Sequence, residues 1–263
     1  MTSEELPVAL TIAGSDSGAG AGIQADLLTF AAHGVFGTTA ITCLTAQNPD
    51  GVTGIETMAA SFVLEQILQV HRGFRIRALK TGMLHSAGIV TTVADFLRRE
   101  PGIPAVIDPV MVATSGAGLL EAGALAAVRE ELLPRATLVT PNLDEVAVLL
   151  GERPASAADM AEAGRQLARM HGVAFLVKGG HLKGEEITDV LVGAGGEVRT
   201  YTSVRIHGVN THGSGCTLSA AIAANLARGC GLEDAVGAAR AYLLRGMEHS
   251  LLLGGRRFIN HRP

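Results

Sequence analysis

The most constraining feature of this chain is an alternation repeated along its length. A short β-rich apolar run is followed by a glycine-rich or polar turn, then by an alanine- and leucine-rich stretch at helical spacing. Residues 8–12 read as a buried strand and residues 23–32 as the helix after it. Strands are expected again at 38–44, 77–80, 105–107, 137–139 and 173–177, with helices near 60–70, 89–98 and 122–132 interleaved. Residues 187–192 and 198–202, joined through Gly193-Ala194-Gly195-Gly196, read as an antiparallel hairpin at a sheet edge. A strand that returns parallel to its predecessor needs a crossover, and helical crossovers cover both faces of the sheet. The expected fold is therefore α/β, a three-layer α/β/α sandwich with a mostly parallel central sheet. No Pro/Ser-rich linker, charge block or repeat of roughly 20–50 residues breaks the pattern, so residues 1–263 are expected to form one domain.

Composition narrows the function. The chain is 48% apolar, enough for a large core, and its net charge of −4 gives no basic field to attract nucleic acid or an acidic membrane. Seven Phe, two Tyr and no Trp leave little for base-stacking platforms. No run of about 18 uncharged apolar residues is present, which excludes a spanning helix. The acidic start Met1-Thr2-Ser3-Glu4-Glu5 lacks a basic-then-apolar signal sequence, and Cys43, Cys216 and Cys230 form no C-x-x-C pair. The chain reads as a soluble, cytoplasmic protein.

Ligands of such sheets bind beyond the carboxyl ends of the strands, so the loops at 14–22, 108–118 and 211–215 are expected to converge. In Gly14-Ser15-Asp16-Ser17-Gly18-Ala19-Gly20-Ala21-Gly22 the glycines do not fit G-x-G-x-x-G, and Asp26 is too near to be a ribose acid. A loop whose amides meet a small polar molecule suits it better. Thr211-His212-Gly213-Ser214-Gly215-Cys216 opens a long Ala-rich helix, and bare amides at a helix start suit the charge on a transferring phosphoryl group. The same potential is expected to lower the Cys216 thiol pKa. Cys43 and Cys230 read as structural, and His207 and His212 as loop hydrogen-bonders. Asp108, at a strand's carboxyl end, can coordinate Mg²⁺ or cap a turn. Asn142 and Glu145 have capping-box spacing and could equally hold Mg²⁺ and its waters. Lys178, at a strand end before two glycines, suits a phosphate contact. The dipeptide Gly-Lys never occurs, so there is no Walker loop. Residues 113–118 are a candidate lid.

These motifs resemble one family. Gly14-Ser15-Asp16-Ser17-Gly18, Leu44-Thr45-Ala46-Gln47-Asn48, Asp108-Pro109-Val110-Met111, Thr140-Pro141-Asn142-x-x-Glu145, Val177-Lys178-Gly179-Gly180-His181 and Thr211-His212-Gly213-Ser214-Gly215-Cys216 resemble, in order, the bacterial hydroxymethylpyrimidine/phosphomethylpyrimidine kinases of thiamine biosynthesis. These are members of the ribokinase-like superfamily. The resemblance implies ATP and Mg²⁺ as cofactors, a homodimer, and two phosphorylations: of 4-amino-5-hydroxymethyl-2-methylpyrimidine, then of its monophosphate. It further implies that Gln47 meets the aminopyrimidine edge, that Gly14, Ala21, Met83 and Val110 line the substrate pocket, and that Asp26 helps hold it. Asp108 and Glu145 would organise the metal, and Lys178, with Asn142 and Thr211, would meet the nucleotide. Gly213, Ser214 and Gly215 would form the anion hole, and Cys216 would act as base. A pyridoxal kinase of the same superfamily is the nearest alternative. A nicotinamide-dependent oxidoreductase and a silent pyrimidine-binding protein are further ones.

Overall fold

The computed structural model describes residues 5–111, 120, 121 and 123–263. In chain order its elements begin with β1 (Val8–Asp16), α1 (Gly22–Ala32), β2 (Phe36–Asn48), β3 (Gly51–Thr57), α2 (Ala60–Gly73), β4 (Ile76–Thr81) and α3 (Ala87–Arg99). They continue with β5 (Ala105–Ile107), α4 (Ala124–Ala127), β6 (Leu138–Val139), α5 (Leu143–Leu150), α6 (Ala157–His171) and β7 (Ala174–Lys178). The last are β8 (Glu186–Val192), β9 (Val198–Val204), α7 (Ser214–Ala227), α8 (Leu232–Glu248), β10 (Leu251–Leu253) and β11 (Arg256–Phe258).

Nine strands among the described residues form one sheet in the order β3-β2-β1-β4-β5-β6-β7-β8-β9. β2-β1-β4-β5-β6-β7 are parallel, while β3, β8 and β9 run antiparallel at the two edges. The expected three-layer α/β/α architecture and the edge hairpin are both present. One face packs Val63 and Ile67 of α2, Ile89 and Val93 of α3, Val146 of α5 and Leu167 of α6 into one core. The other face packs Phe30 of α1, Leu218 and Ile222 of α7, and Val236 of α8 into a second. Alanines at 220, 221, 223 and 224 are all buried, because α7 is enclosed by the sheet, α1 and α8; a helix apolar on every side belongs inside.

Three expectations change. The strand expected at 38–44 runs on to Asn48 and hairpins back into β3. The helix expected near 122–132 is a single α turn at Ala124–Ala127, followed by irregular helical turns to Arg135 in which Pro134 cannot donate an amide. The candidate lid at 113–118 lies outside the described residues. Among the described residues, no helix is long and apolar enough to cross a membrane.

The topology fixes where a ligand can sit. The chain lays β2 and β3 on one side of β1 and then returns to place β4 on the other, so the strand order reverses between β1 and β4. Beyond the carboxyl ends at such a reversal the flanking loops diverge and leave a crevice.

Candidate active site

At the end of β1, Asp16 organises the Gly14–Gly22 loop. Its Oδ1 accepts the Gly18 amide at 2.8 Å, and its Oδ2 accepts the Ala21 amide at 2.9 Å and faces His212 Nε2 at 3.0 Å. Burial would raise this carboxyl, but the His212 contact and the two amides outweigh it and hold the pKa below the usual value. Gln47, on the extension of β2, is tied to the same loop. Its amide donates to Ser17 Oγ at 2.8 Å, and its side-chain nitrogen lies 2.9 Å from His212 Nε2. Thus His212 is a loop hydrogen-bonder, as expected, and it joins the first and last loops of the site. Buried Cys43 is structural too: its Sγ would lie 2.7 Å from a Cβ on Gly14, so that position has no room for a side chain.

Across the crevice, β5 and β7 supply a charged cluster. Lys178 Nζ donates to Asp108 Oδ1 at 2.8 Å, and Thr140 Oγ1 donates to the same oxygen at 3.1 Å. The amide of Lys178 donates to the Pro141 carbonyl, a parallel bridge that seats the lysine beside Asn142. Asn142 caps α5: its Oδ1 accepts the Asp144 and Glu145 amides at 2.9 and 3.0 Å, and Glu145 Oε2 accepts the Asn142 amide at 2.8 Å. The capping-box reading of that spacing is correct, and it leaves Glu145 buried in the site. Burial would raise Asp108, yet Lys178 and then Lys80 hold it below its ordinary value. Burial pushes Glu145 up, Lys178 opposes, and Asp108 adds to the rise.

These acids bear on a metal. Among the described residues, no three or more His, Cys, Asp or Glu side chains gather into a metal cage. Mg²⁺, however, keeps several waters and takes one or two carboxylates plus substrate phosphates. Two buried carboxylates that repel each other beside a cavity fit that requirement, because a divalent cation would relieve the repulsion.

The third loop ends at α7. Gly213 caps the helix in the left-handed region at φ 82°, and Thr217 Oγ1 donates back to its carbonyl at 2.9 Å. The Ser214 amide donates to the Thr211 carbonyl at 3.0 Å, so Ser214 contributes less of a bare amide than expected. Gly215 and Cys216 follow in the first turn, where an α-helix supplies no intrahelical acceptor. A Cβ on Gly215 would stand 3.3 Å from Lys178 Nζ and 3.5 Å from Asp108 Oδ2, which places the helix start directly on the charged cluster. Cys216 faces the same space, but its thiol does not behave as expected. Burial pushes its pKa up; Lys80 and the Gly22 amide pull it down, and Asp26 and Asp108 push it further up. Burial outweighs both lowering influences and holds the thiol above its ordinary value.

All these groups open into one cavity of about 570 Å³. Its lining includes Gly14, Ala21, Gln47, Met83 and Val110 together with Asp108, Asn142, Glu145, Lys178, Thr211 and residues 213–216. Asp26 alone among the expected site residues does not line it. That carboxylate is wholly buried beneath, where it accepts Lys80 Nζ at 2.9 Å on each oxygen and Thr11 Oγ1 at 2.6 Å. An ionised group excluded from water must be paired, and Lys80 is its pair.

Several lining residues were not singled out by the motifs. Lys80 is the one charge in the run Ala78-Leu79-Lys80-Thr81, all of it buried, and a lone lysine there is a readable sign of a paired or functional charge. Arg240 Nε donates to Asp189 Oδ2 at 2.7 Å, and Asp189 Oδ1 accepts the Gly179 amide at 2.9 Å, fixing the backbone next to Lys178. Arg205 donates to the carbonyls of Gly180, Leu182 and Gly184 and so shapes the loop that follows. Nothing local in the sequence marks these two arginines.

An open α/β sheet with no Walker loop, a helix start aimed at a lysine and two acids, and a thiol beside them define a phosphotransferase for a small molecule. A profile described as phosphomethylpyrimidine kinase matches residues 16–260. A hydroxymethylpyrimidine/phosphomethylpyrimidine kinase of Rhizobium meliloti is 53% identical over 239 residues, covering 90% of this chain and 88% of that one. A solved Clostridium difficile phosphomethylpyrimidine kinase superposes with a TM-score of 0.81 at 36% identity, covering 92% of this chain and 99% of that one. The ADP complex of a Bacillus subtilis pyridoxal kinase superposes with a TM-score of 0.90 at 35% identity, over 98% of each chain. The chain belongs to the phosphomethylpyrimidine kinase family, and its fold is ribokinase-like.

Proposed function

We propose that this protein transfers the γ-phosphoryl group of ATP to the hydroxymethyl oxygen of 4-amino-5-hydroxymethyl-2-methylpyrimidine, and then to the resulting monophosphate, in thiamine biosynthesis. One observation carries the reading: Gln47 and Cys216 open into the same cavity as the Asp108–Lys178 pair and the first turn of α7. The Gln47 side chain offers one donor and one acceptor, which matches the ring nitrogen and amino group of an aminopyrimidine. Met83, Val110, Ala21 and Gly14 are read as apolar walls for the ring. Cys216 accepts the hydroxymethyl proton as that oxygen attacks the γ-phosphorus and the bond to the bridging oxygen of ADP breaks. Because the thiol pKa is raised, thiolate is the minor form at neutral pH and its share grows with pH. Lys178 and the amides of Gly215 and Cys216 offset the charge on the equatorial oxygens, and positioning accounts for most of the acceleration.

Asp108 and Glu145 are the residues that would hold Mg²⁺, which when bound neutralises phosphate charge. Asn142 acts through the α5 cap, and Thr211 through its carbonyl bond to Ser214. We read residues 1–263 as one kinase domain, which the continuous sheet from β1 to β9 supports. A homodimer working in the cytoplasm, where ATP is supplied, is the proposed setting. Phe36 and Phe74, exposed and stacked at 5.6 Å, offer apolar surface that a second copy would cover.

The decisive experiment is mass-spectrometric product analysis with the pyrimidine, ATP and Mg²⁺. Monophosphate followed by diphosphate is the expected outcome, and unchanged pyrimidine refutes the reading. The likeness to a pyridoxal kinase at TM-score 0.90 favours a second reading, pyridoxal phosphorylation. Side-by-side kcat/KM separates them, and a clear preference for pyridoxal reverses the assignment.

A further inference from the structure

Lys80 is wholly buried, its ammonium is shared between both oxygens of Asp26, and it takes no direct part in the chemistry described above. Yet it lies under the reacting centre. Gly22 and Asp26 stand one turn apart on the same face of α1, since residues four apart on a helix are stacked. Gly22, Lys80 and Cys216 line the same cavity, and Asp26, one turn on from Gly22, grips Lys80. Gly82, two residues after Lys80, also lines the cavity, and a Cβ there would stand 3.0 Å from Lys80 Nζ. Thiol and ammonium therefore border one cavity, with the Asp26 carboxylate behind the ammonium in the core.

We propose that Lys80 is a positioning residue for phosphoryl transfer: a buried cation, fixed by Asp26 on α1, that stabilises the Cys216 thiolate from beneath. This rests on the reading of Cys216 as base. The charges facing the sulfur can be named element by element. β4 brings Lys80, α1 brings Asp26 and the Gly22 amide, Asp108 follows β5, and Lys178 ends β7. Burial draws the Lys80 ammonium down, but Asp26 outweighs burial and holds it protonated, so its charge persists across the working pH range. Lys178 is already engaged with Asp108 and Glu145 and faces the nucleotide side, whereas Lys80 is the largest influence that lowers the thiol. Asp26 has a second effect: its own charge acts against the thiolate, and by fixing the ammonium it sets how much of that positive charge the sulfur feels.

The test is the rate of Cys216 alkylation by iodoacetamide against pH, read on the Cys216 peptide by mass spectrometry so that Cys43 and Cys230 do not interfere. Lys80→Met should move the midpoint upward by about one unit or more, slowing alkylation at neutral pH about tenfold. The rising limb of the kcat–pH profile should move in the same direction, while KM for ATP stays within about twofold. Lys80→Arg should restore most of the alkylation rate. Because Lys80→Met strands the Asp26 carboxylate, Lys80→Met/Asp26→Leu gives an apolar pair in its place and should shift the midpoint upward by less than Lys80→Met alone, since the opposing Asp26 charge goes with it. A folded variant, by circular dichroism and melting, whose alkylation midpoint stays at the wild-type value overturns the proposal. Failure of the base reading looks different: Cys216→Ala would then retain turnover, whatever the alkylation midpoint of the Lys80 variants.

Discussion

Gly213→Ala tests how the site is built, because it separates the strain of one backbone conformation from the contact between two loops. Gly213 caps α7 at φ 82°, where an L side chain costs about 1–2 kcal/mol. A Cβ there would also fall well inside the radius of the Gly20 carbonyl oxygen and press on Ala21. That obstacle is backbone rather than a flexible side chain, so the Gly14–Gly22 loop and the α7 start must part by roughly 1.5 Å to restore ordinary contact. A misplacement of that size costs about 10²-fold in rate, or roughly 2.7 kcal/mol of barrier, because substrate oxygen and phosphate no longer line up. Gly208 provides the control, since it has φ 76° with no atom within 4 Å of its would-be Cβ. Gly208→Ala should lose about 1–2 kcal/mol, seen as a few degrees of melting temperature, with kcat within about threefold of wild type. Gly213→Ala should lose stability and, in addition, about 10²-fold in kcat in a coupled ADP-release assay. Equal kcat in the two variants would show that loop contact at Gly213 does not position the chemistry.

Three further outcomes follow from the site. Cys216→Ala should lower kcat about 10²–10⁴-fold with little change in ATP affinity by calorimetry, and near-wild-type turnover would remove the thiol as base. Burial raises that thiol, so the base form grows with alkalinity; kcat should climb about tenfold per unit from about pH 6 to about pH 9, and a flat profile there would contradict it. Asn142→Ala deletes the acceptor of the α5 cap and should cost about 1 kcal/mol in denaturant unfolding, whereas an unchanged midpoint would mean the cap carries no stability.

What could be read from the chain, and what could not, follows a physical divide. Strands β1, β5 and β7 are buried on both faces, so they appear as largely apolar runs, and their carboxyl ends then place Gly14, Asp108 and Lys178 around one crevice. The end of β2 gave no such sign. From Ala46 onward it pairs only with the edge strand β3, and with Leu44, Ala46 and Asn48 exposed its composition resembles a loop, although Gln47 sits there. Asp26 was misplaced for a related reason. An acid four residues into a helix looks like a pocket ligand until a lysine from a distant strand is seen to take both its oxygens, and a bond between residues 54 apart leaves no local trace. The expected fall in the Cys216 pKa went astray through magnitude rather than placement. A helix start contributes a fraction of a charge, whereas removal from water acts on the whole charge of a thiolate.

A chain of net charge −4 that handles a polyphosphate shows why whole-chain charge says little about a kinase. The binding field is local, and each of its parts is fixed by a different means. Lys178 is set by a backbone bond to Pro141 and an ion pair to Asp108, and the amide of Gly179 by Asp189, itself held by Arg240. The loop after them is gripped by Arg205 through three carbonyls. None of these cations needs to move when phosphate arrives, and donors already in place are the ones that accelerate a reaction, since they spend nothing on reorganisation. The same buried pairing explains why the acids tolerate one another: Asp108 and Glu145 repel, and the Lys178 ammonium, which attracts both, offsets that repulsion. If Lys178 set only the net charge, any surface lysine nearby could replace it. Because Lys178 is also fixed by its amide bond to the Pro141 carbonyl and its ion pair to Asp108, its position at the last residue of β7 matters as much as its sign.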